Sequence, residues 1–378
     1  MIALIADDLT GAVELAGIGL RYALRVEILT LVPPSTDADL LVIATDTRSM
    51  TEQEGFSTMA DLTVQLITLK PDFLYKKVDS VLRGHVLAEL HVHLNETGLS
   101  RALLVPANPA LNRQIIDGRY FVDGQPIHLS SFANDTDFPI KSAEIHMMLR
   151  CEESDIEVLD GTEALPEKGI IVANCSTEND LKLWAAKTDR QTLLAGGSGF
   201  FAALLESLGY SVRNEHSHFE LRAPALYVSG TSFDKSRKLI GAFKAAGAQV
   251  FYLPENIIHS VNPDDELFDS LAELIVSALN LYQKAVLAID EHAVQGVNLR
   301  EKQALLVKKV CNKVKVKELL IEGGATALAI VQLLNLNHFI PVQEFSTGVV
   351  RLQSLEHAGL FLTLKPGSYA WPTDIGLR

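Results

Sequence analysis

Residues 2–11 read Ile-Ala-Leu-Ile-Ala-Asp-Asp-Leu-Thr-Gly. Five apolar residues stop at two acids, and a helix-like pattern sets in after Gly11. A short apolar run that ends in polar residues and leads into a helix is the opening of a βα unit. The alternation repeats outward from this point. Strands are expected at 39–44, 73–75, 102–105, 169–173 and 192–195, with a helix over 53–69. A second series follows, with strands at 225–229, 249–253, 285–289, 318–321 and 360–364 and helices at 266–280 and 299–313. Strands alternating with helices argue for parallel sheets covered on both faces. The expected fold is therefore α/β.

A chain of 378 residues exceeds one ordinary core. The polar stretch 211–223, with Asn214, His216 and His218, marks the expected boundary. It separates a domain over 1–215 from one over 222–378, each a mainly parallel sheet flanked by helices. Between the strands near 105 and 169, residues 106–139 are rich in Pro, Asn, Asp and Gly. This excursion is expected to carry a hairpin at Val122-Asp123-Gly124-Gln125, because Asp-Gly suits a tight two-residue turn.

The net charge is −14, which offers no broad basic surface and argues against nucleic acid or an anionic membrane as partner. Cys151, Cys175 and Cys311 are far apart and form no CxxC pair, so neither a zinc site nor a disulfide framework is expected. The eleven histidines form no metal set; His91 and His93 lie two apart, a spacing that separates them on a helix. The opening residues lack the basic n-region of a signal peptide, and no apolar run reaches the length of a bilayer span. A cytoplasmic protein is expected.

Chemistry-bearing residues cluster where strands end. In open parallel sheets that is where ligands sit. Asp7 and Asp8 follow the first strand; they can accept hydrogen bonds from a polyol or take a proton from its hydroxyl. Capping of the next helix accounts for one acid better than for two. An aspartyl-phosphatase reading fails, because the nucleophile position holds Ala6. After 73–75 come Lys76, Lys77, Asp79, Ser80, Arg83 and Gly84 within nine residues. Arg83 suits a two-pronged grip on a carboxylate, Lys76 or Lys77 suits a phosphoryl group, and Asp79 suits a substrate hydroxyl. Asn108 and Arg119, in the excursion, are candidate wall residues for an anion. The turn Gly196-Gly197-Ser198-Gly199 reads either as an anion cradle or as tight packing; Phe200 excludes a nucleophile elbow. In the second half, Ser229-Gly230-Thr231-Ser232, Glu322-Gly323-Gly324-Ala325-Thr326 and Lys365-Pro366-Gly367-Ser368 each follow a strand. Backbone N–H groups and hydroxyls there can meet phosphate or ribose, although no GxxxxGK[ST] motif occurs.

Together, IADDLTGA at 5–12, KKVDSVLRG at 76–84, PANPALNR followed by DGRYFVDGQP at 106–126, and the late GGATA at 323–327 resemble the four-carbon acid sugar kinases, formerly a domain family of unknown function. The resemblance covers nearly the whole chain in order. It implies an N-terminal domain that binds the sugar acid, a C-terminal domain that binds ATP, and an interdomain cleft where transfer occurs. The substrates implied are threonate, erythronate or 3-oxo-tetronate, phosphorylated on the terminal hydroxyl. The resemblance places Asp8, Lys77, Asp79, Ser80 and Arg83 against the sugar acid, and Ser232, Gly323, Gly324, Thr326 and Gly367 against ATP. Ser229, Thr231 and Gly348 are added from the neighbouring turns. Asp8 is the expected base ahead of Asp79. Mg²⁺ is expected with ATP, and a homodimer on base rates. The second half departs from the family pattern. Ala325 stands where an acid is usual, Thr347-Gly348-Val349-Val350 replaces a PGVP-like turn, and Ala370 replaces a Gly. Ser236 and Lys238 stand near the usual Thr and Gln. These changes keep open a catalytically degenerate protein that binds a sugar acid or a nucleotide.

Overall fold

A computed structural model describes residues 1–134, 138–213, 220–231, 233–259, 266–289, 299–367 and 369–372. Asn214, His216, His218, Ser232 and Ser368 lie outside these described residues. The chain divides into two compact units, Met1–Asn214 and Glu215–Arg378.

The first unit begins with β1 (Ile2–Ala6), α1 (Leu9–Arg21), β2 (Val26–Leu29) and β3 (Leu40–Ala44). It continues through α2 (Glu52–Thr68), β4 (Phe73–Lys77), α3 (Val86–Thr97) and β5 (Arg101–Val105). Three short strands follow, β6 (Arg113–Ile116), β7 (Arg119–Val122) and β8 (Gln125–Pro126). The unit closes with α4 (Ile145–Leu149), β9 (Ile156–Leu159), β10 (Gly169–Ala173), α5 (Glu178–Ala185), β11 (Thr192–Gly196) and α6 (Ser198–Ser207). The main sheet runs β2-β3-β1-β4-β11-β5-β10-β9, and every pairing in it is parallel. β1 and β3 are buried at every position, which is why they read as unbroken apolar runs rather than alternating ones. β2 and β9 go beyond the sequence expectation. β2 reads Val-Glu-Ile-Leu with alternating burial, and such a short mixed run carries little periodic signal.

The excursion forms a separate antiparallel ribbon, β6-β7-β8. Asp123 and Gly124 turn the chain at φ 51° and 76°, the positive values that a tight hairpin of the expected kind requires. Asp117-Gly118, at φ 48° and 70°, makes a second turn of the same chemistry one strand earlier.

In the second unit, β12 (Ala225–Ser229), α7 (Asp234–Ala245), β13 (Val250–Tyr252), α8 (Glu255–His259) and α9 (Glu266–Tyr282) come first. β14 (Lys284–Ala288), α10 (Leu299–Lys313), β15 (Glu318–Glu322) and α11 (Gly324–Leu333) follow. The last strands are β16 (His338–Ser346), β17 (Val349–Ser354) and β18 (Phe361–Lys365). Strands run β13-β14-β12-β15-β18-β17-β16; the first five are parallel and β17 is antiparallel to both neighbours. The β16–β17 hairpin escapes the periodicity reading because Pro341 interrupts β16 at a register shift. Among the described residues no helix is long and apolar enough to cross a membrane.

Under the first sheet lies a buried polar cluster. Lys76 and Glu89 pair at 2.6 Å with side-chain exposures of 0% and 2%. His93 Nδ1 shares a 2.7 Å hydrogen bond with the Thr63 hydroxyl. Burial, and then the Lys76 charge, push the His93 pKa from 6.5 down to about 3. The folded protein therefore holds His93 neutral while the unfolded chain takes up a proton below the ordinary value. Stability from this group is complete above pH 6.5 and declines as pH falls towards 3, by about 1.4 kcal/mol per unit at most. Urea unfolding at a series of pH values checks this: His93→Gln is expected to remove that slope between pH 4 and 6, and an unchanged slope would assign it elsewhere.

Candidate active site

The carboxyl ends of β1, β3 and β4 lie side by side in the sheet order, so the residues that follow them form one cluster. Asp8 caps α1: its carboxylate accepts the Gly11 backbone N–H at 3.0 Å and the Thr10 hydroxyl. A methyl group on Gly11 would come within 2.6 Å of that carboxylate, so only glycine leaves the cap intact. Asp8 thus caps the helix, as its residue type favours, yet it also faces a second partner.

That partner is Arg48, which the sequence reading did not single out. Arg48 follows β3 in a 3₁₀ turn, Thr47–Ser49. Its Nε and Nη2 donate to the two oxygens of Asp7 at 2.9 and 2.8 Å, and Nη2 also reaches Asp8 at 3.0 Å. Nη1 lies 3.7 Å from Asp79. One guanidinium therefore serves three carboxylates. The polar run Thr45-Asp46-Thr47-Arg48 at a strand end was the available signal. Gly84, at φ 92°, packs over this group: a methyl there would stand 3.3 Å from Arg48 Cγ and 3.4 Å from Asp7 Oδ2.

Alternation along β4 separates the two lysines. Lys76 points into the buried cluster with Glu89, away from the acids. Lys77 lies on the Asp8 side, its Nζ 3.4 Å from where a Gly11 methyl would be, and it donates to the Val78 carbonyl at 2.8 Å. Glu14 lies 3.8 Å from the same ammonium.

Asp79 is bound from two sides. Val81 and Arg83 give it their backbone N–H groups at 3.1 and 3.2 Å, and Arg83 adds Nε and Nη2 at 2.9 and 2.8 Å. The two-pronged grip expected of Arg83 is thus made on Asp79 of its own loop. Ser80 accepts from Arg113 and, through its carbonyl, from the Tyr120 hydroxyl, which fastens the ribbon to the Lys76–Gly84 segment. Asn108 donates to the Ser198 hydroxyl at 3.1 Å. Arg119 lies apart, on the ribbon, paired with Glu144 and about half exposed. The Gly196-Gly197 turn is a packing feature: methyl groups would meet the Val105 carbonyl at 2.4 Å and the Pro106 carbonyl at 3.0 Å.

Electrostatics distinguish the three acids. Burial dominates at Asp7 and raises its pKa despite Arg48. Burial also acts on Asp8, but Arg48, Lys77 and the Thr10 hydroxyl outweigh it and lower the pKa. The Asp79 pKa is lowered as well, as Arg83, Arg48 and Lys77 overcome its burial. Asp8 has a side-chain exposure of 18%, against 4% for Asp7 and 8% for Asp79. It is the most exposed of the three.

In the second unit β12, β15 and β18 are neighbours, so the three turns after them converge. Glu322, fully buried, ties them together. It pairs with Lys365 at 2.7 Å and accepts from the hydroxyls of Ser236 at 2.5 Å, Ser229 at 3.2 Å and Tyr227. Lys365 donates onward to the carbonyls of Pro366 at 2.8 Å and Tyr369 at 2.6 Å. A methyl on Gly230 would fall 1.9 Å from Thr326 Oγ1, and one on Gly367 would fall 3.2 Å from Thr231 Oγ1. Gly323, at φ 105°, heads α11, which begins at Gly324. Ser229, Thr231, Gly323, Gly324, Thr326 and Gly367 are therefore brought together. Gly348 instead sits at the β16–β17 hairpin tip, at φ 75° against the Tyr369 ring. Val349 and Val350, read as turn residues, are the start of β17.

Fold and clusters define a protein of two α/β units whose chemistry lies at strand ends. The chain belongs to the sugar-binding N-terminal domain family, whose model matches residues 2–204, and with it to the four-carbon acid sugar kinases. It is 28% identical over 333 residues to a D-threonate kinase of Salmonella typhimurium, covering 82% of this chain and 74% of that one. It is 23% identical to a 3-oxo-tetronate kinase of Pectobacterium atrosepticum, covering 97% of this chain and 95% of that one. A solved structure from Salmonella typhimurium matches with a TM-score of 0.79 at 19% identity, over 98% of this chain and 96% of that one. One from Haemophilus influenzae, of the DUF1537 family, matches with 0.73 at 20%, over 99% and 98%. These structures establish the likeness of fold.

Arg48→Met leaves buried acids without their counter-charge and is expected to cost about 3–5 kcal/mol in urea unfolding. Arg48→Lys is expected to recover less than half of the loss, because an ammonium cannot match the fork on Asp7. Wild-type stability in Arg48→Met would remove this residue from the centre of the cluster.

Proposed function

We propose that this protein transfers the terminal phosphoryl group of ATP to the terminal hydroxyl of a four-carbon sugar acid of the threonate, erythronate or 3-oxo-tetronate type. The observation that carries the reading is the ionised, accessible Asp8 beside Lys77 and Arg48 at the ends of adjacent strands. Relatives that share most of the chain carry the names of threonate and 3-oxo-tetronate kinases.

In this reading the first unit holds the acceptor. Asp8 orients the hydroxyl by accepting its hydrogen bond. Its lowered pKa makes it a weak base, which suits phosphoryl transfer: the transition state is loose, and little proton removal is needed until late. Lys77 supplies positive charge on the Asp8 side of β4, where negative charge builds up during transfer. Asp79 and Arg83 position one another and hold the loop. The acceptor carboxylate then falls to the remaining donor capacity of Lys77, Arg113 and Asn108. The second unit takes the nucleotide at the Ser229–Thr231, Gly323–Thr326 and Gly367 turns. Glycines there let the three turns pack closely against one another, and backbone N–H groups at the head of α11 favour an anion. ATP supplies the phosphoryl group. Mg²⁺ would enter with the phosphates, whose charge it would neutralise.

The second reading, a binder without turnover, is favoured by Ala325, an exposed alanine in the first turn of α11 where an acid is usual in the family. A panel of four-carbon sugar acids with ATP and Mg²⁺ decides between them: ATP consumption with one acid is expected, and binding of an acid by calorimetry without consumption would establish the binder. Asp8→Asn is expected to lower kcat by about 10²–10⁴-fold in a protein that still melts cooperatively. Full activity in that variant would exclude Asp8 from the reaction.

A further inference from the structure

A cavity of about 230 Å³ lies in the second unit between α7 and the sheet. Tyr227, Phe243, Val286 and Leu320 form its buried walls, and Gln249 and Tyr282 stand towards its more exposed side. The space has a sequence origin. The turn after α7 reads Ala246-Gly247-Ala248, with Gly247 at φ 87°, so the chain passes the sheet without a side chain long enough to fill the gap. Protein interiors leave few voids larger than a water molecule. An apolar cavity of about 150 Å³ stays dry and admits benzene. The space beneath α7 is larger but open on one side; its buried walls are aromatic and aliphatic, and Gln249, Tyr282 and Lys284 line the open side.

Tyr227 connects this cavity to the strand-end turns. Its ring is a cavity wall, packed edge-on to Phe243 with centroids 5.8 Å apart. Its hydroxyl donates to Glu322 and accepts Trp371 Nε1 at 3.1 Å. Glu322 in turn holds Ser229, Ser236 and Lys365. Any displacement of the Tyr227 ring is passed by one hydrogen bond to the residue that organises all three turns.

We propose that this cavity binds a single-ring aromatic ligand with one polar substituent, and that Tyr227 couples its occupancy to the three turns. The apolar walls take the ring, and the substituent faces Gln249 at the rim. The coupling half rests on the nucleotide reading of those turns; the binding half does not.

4-Methylphenol is the probe, titrated against the full chain without nucleotide and followed by saturation-transfer NMR. A dissociation constant of about 1 mM or tighter is expected for eight heavy atoms in an apolar site. Ala246→Phe, at an exposed rim position, is expected to weaken binding at least about tenfold while melting cooperatively; Ala248→Leu is the second filling variant. No transfer in the wild-type protein, or equal binding in both filled variants, overturns the site. Saturating probe is then expected to change the ATP dissociation constant by about fivefold or more. Tyr227→Phe, which keeps the ring and loses the bond to Glu322, is expected to abolish that change. An ATP affinity indifferent to the probe overturns the coupling alone. Absence of ATP binding overturns the nucleotide reading and the coupling with it, and leaves the NMR result standing as the test of the site.

Discussion

The grip of Arg48 on Asp7 and Asp8 governs the arrangement of the first unit's site. Two tandem acids at the end of a buried strand would repel one another and lose hydration. A guanidinium can face both because its donors form a planar fork, and here it reaches Asp79 as well. The requirement extends outward. Gly84 must be a glycine at positive φ to let Arg48 lie flat, and Gly11 must be one to leave the Asp8 cap intact. The β4 register must set Lys77, rather than Lys76, on the Asp8 side.

The second unit solves a similar problem in the opposite sense. There one buried acid, Glu322, collects hydroxyls from β12 and α7 and a lysine from β18, and so fixes the turns beside it. A buried pair of this kind is a weak source of stability, because desolvation offsets its attraction. Its effect is positional. Ser229, Ser236 and Lys365 each have one place to be, and the close fit of Gly230 against Thr326 shows how little freedom is left. In a protein that uses these turns to meet a ligand, such rigidity is preorganisation.

The parallel strands were legible because burial on both faces leaves an unbroken apolar run, and the turns were legible because Asp-Gly and Gly-Gly have few other uses. The sequence pointed to the cluster of Asp7, Asp8, Lys77 and Asp79 through their position at strand ends, and to the chain's family through the order of its motifs. β2 and β9 were missed because short mixed strands have no period to read, and β16 because a proline and register shifts break it.

What the sequence alone determined was the set of strand-end residues and the α/β order that brings them to one edge. Only the tertiary structure decided their partners. Arg48 lies about forty residues from Asp7 and meets it because β3 neighbours β1 in the sheet, a contact with no local signature. The same holds for the commitment of Arg83 to Asp79, the burial of Lys76 with Glu89 and the retreat of Arg119 to the ribbon. Which charge neutralises which is settled by distance and burial, and both come into being only when the sheet is assembled.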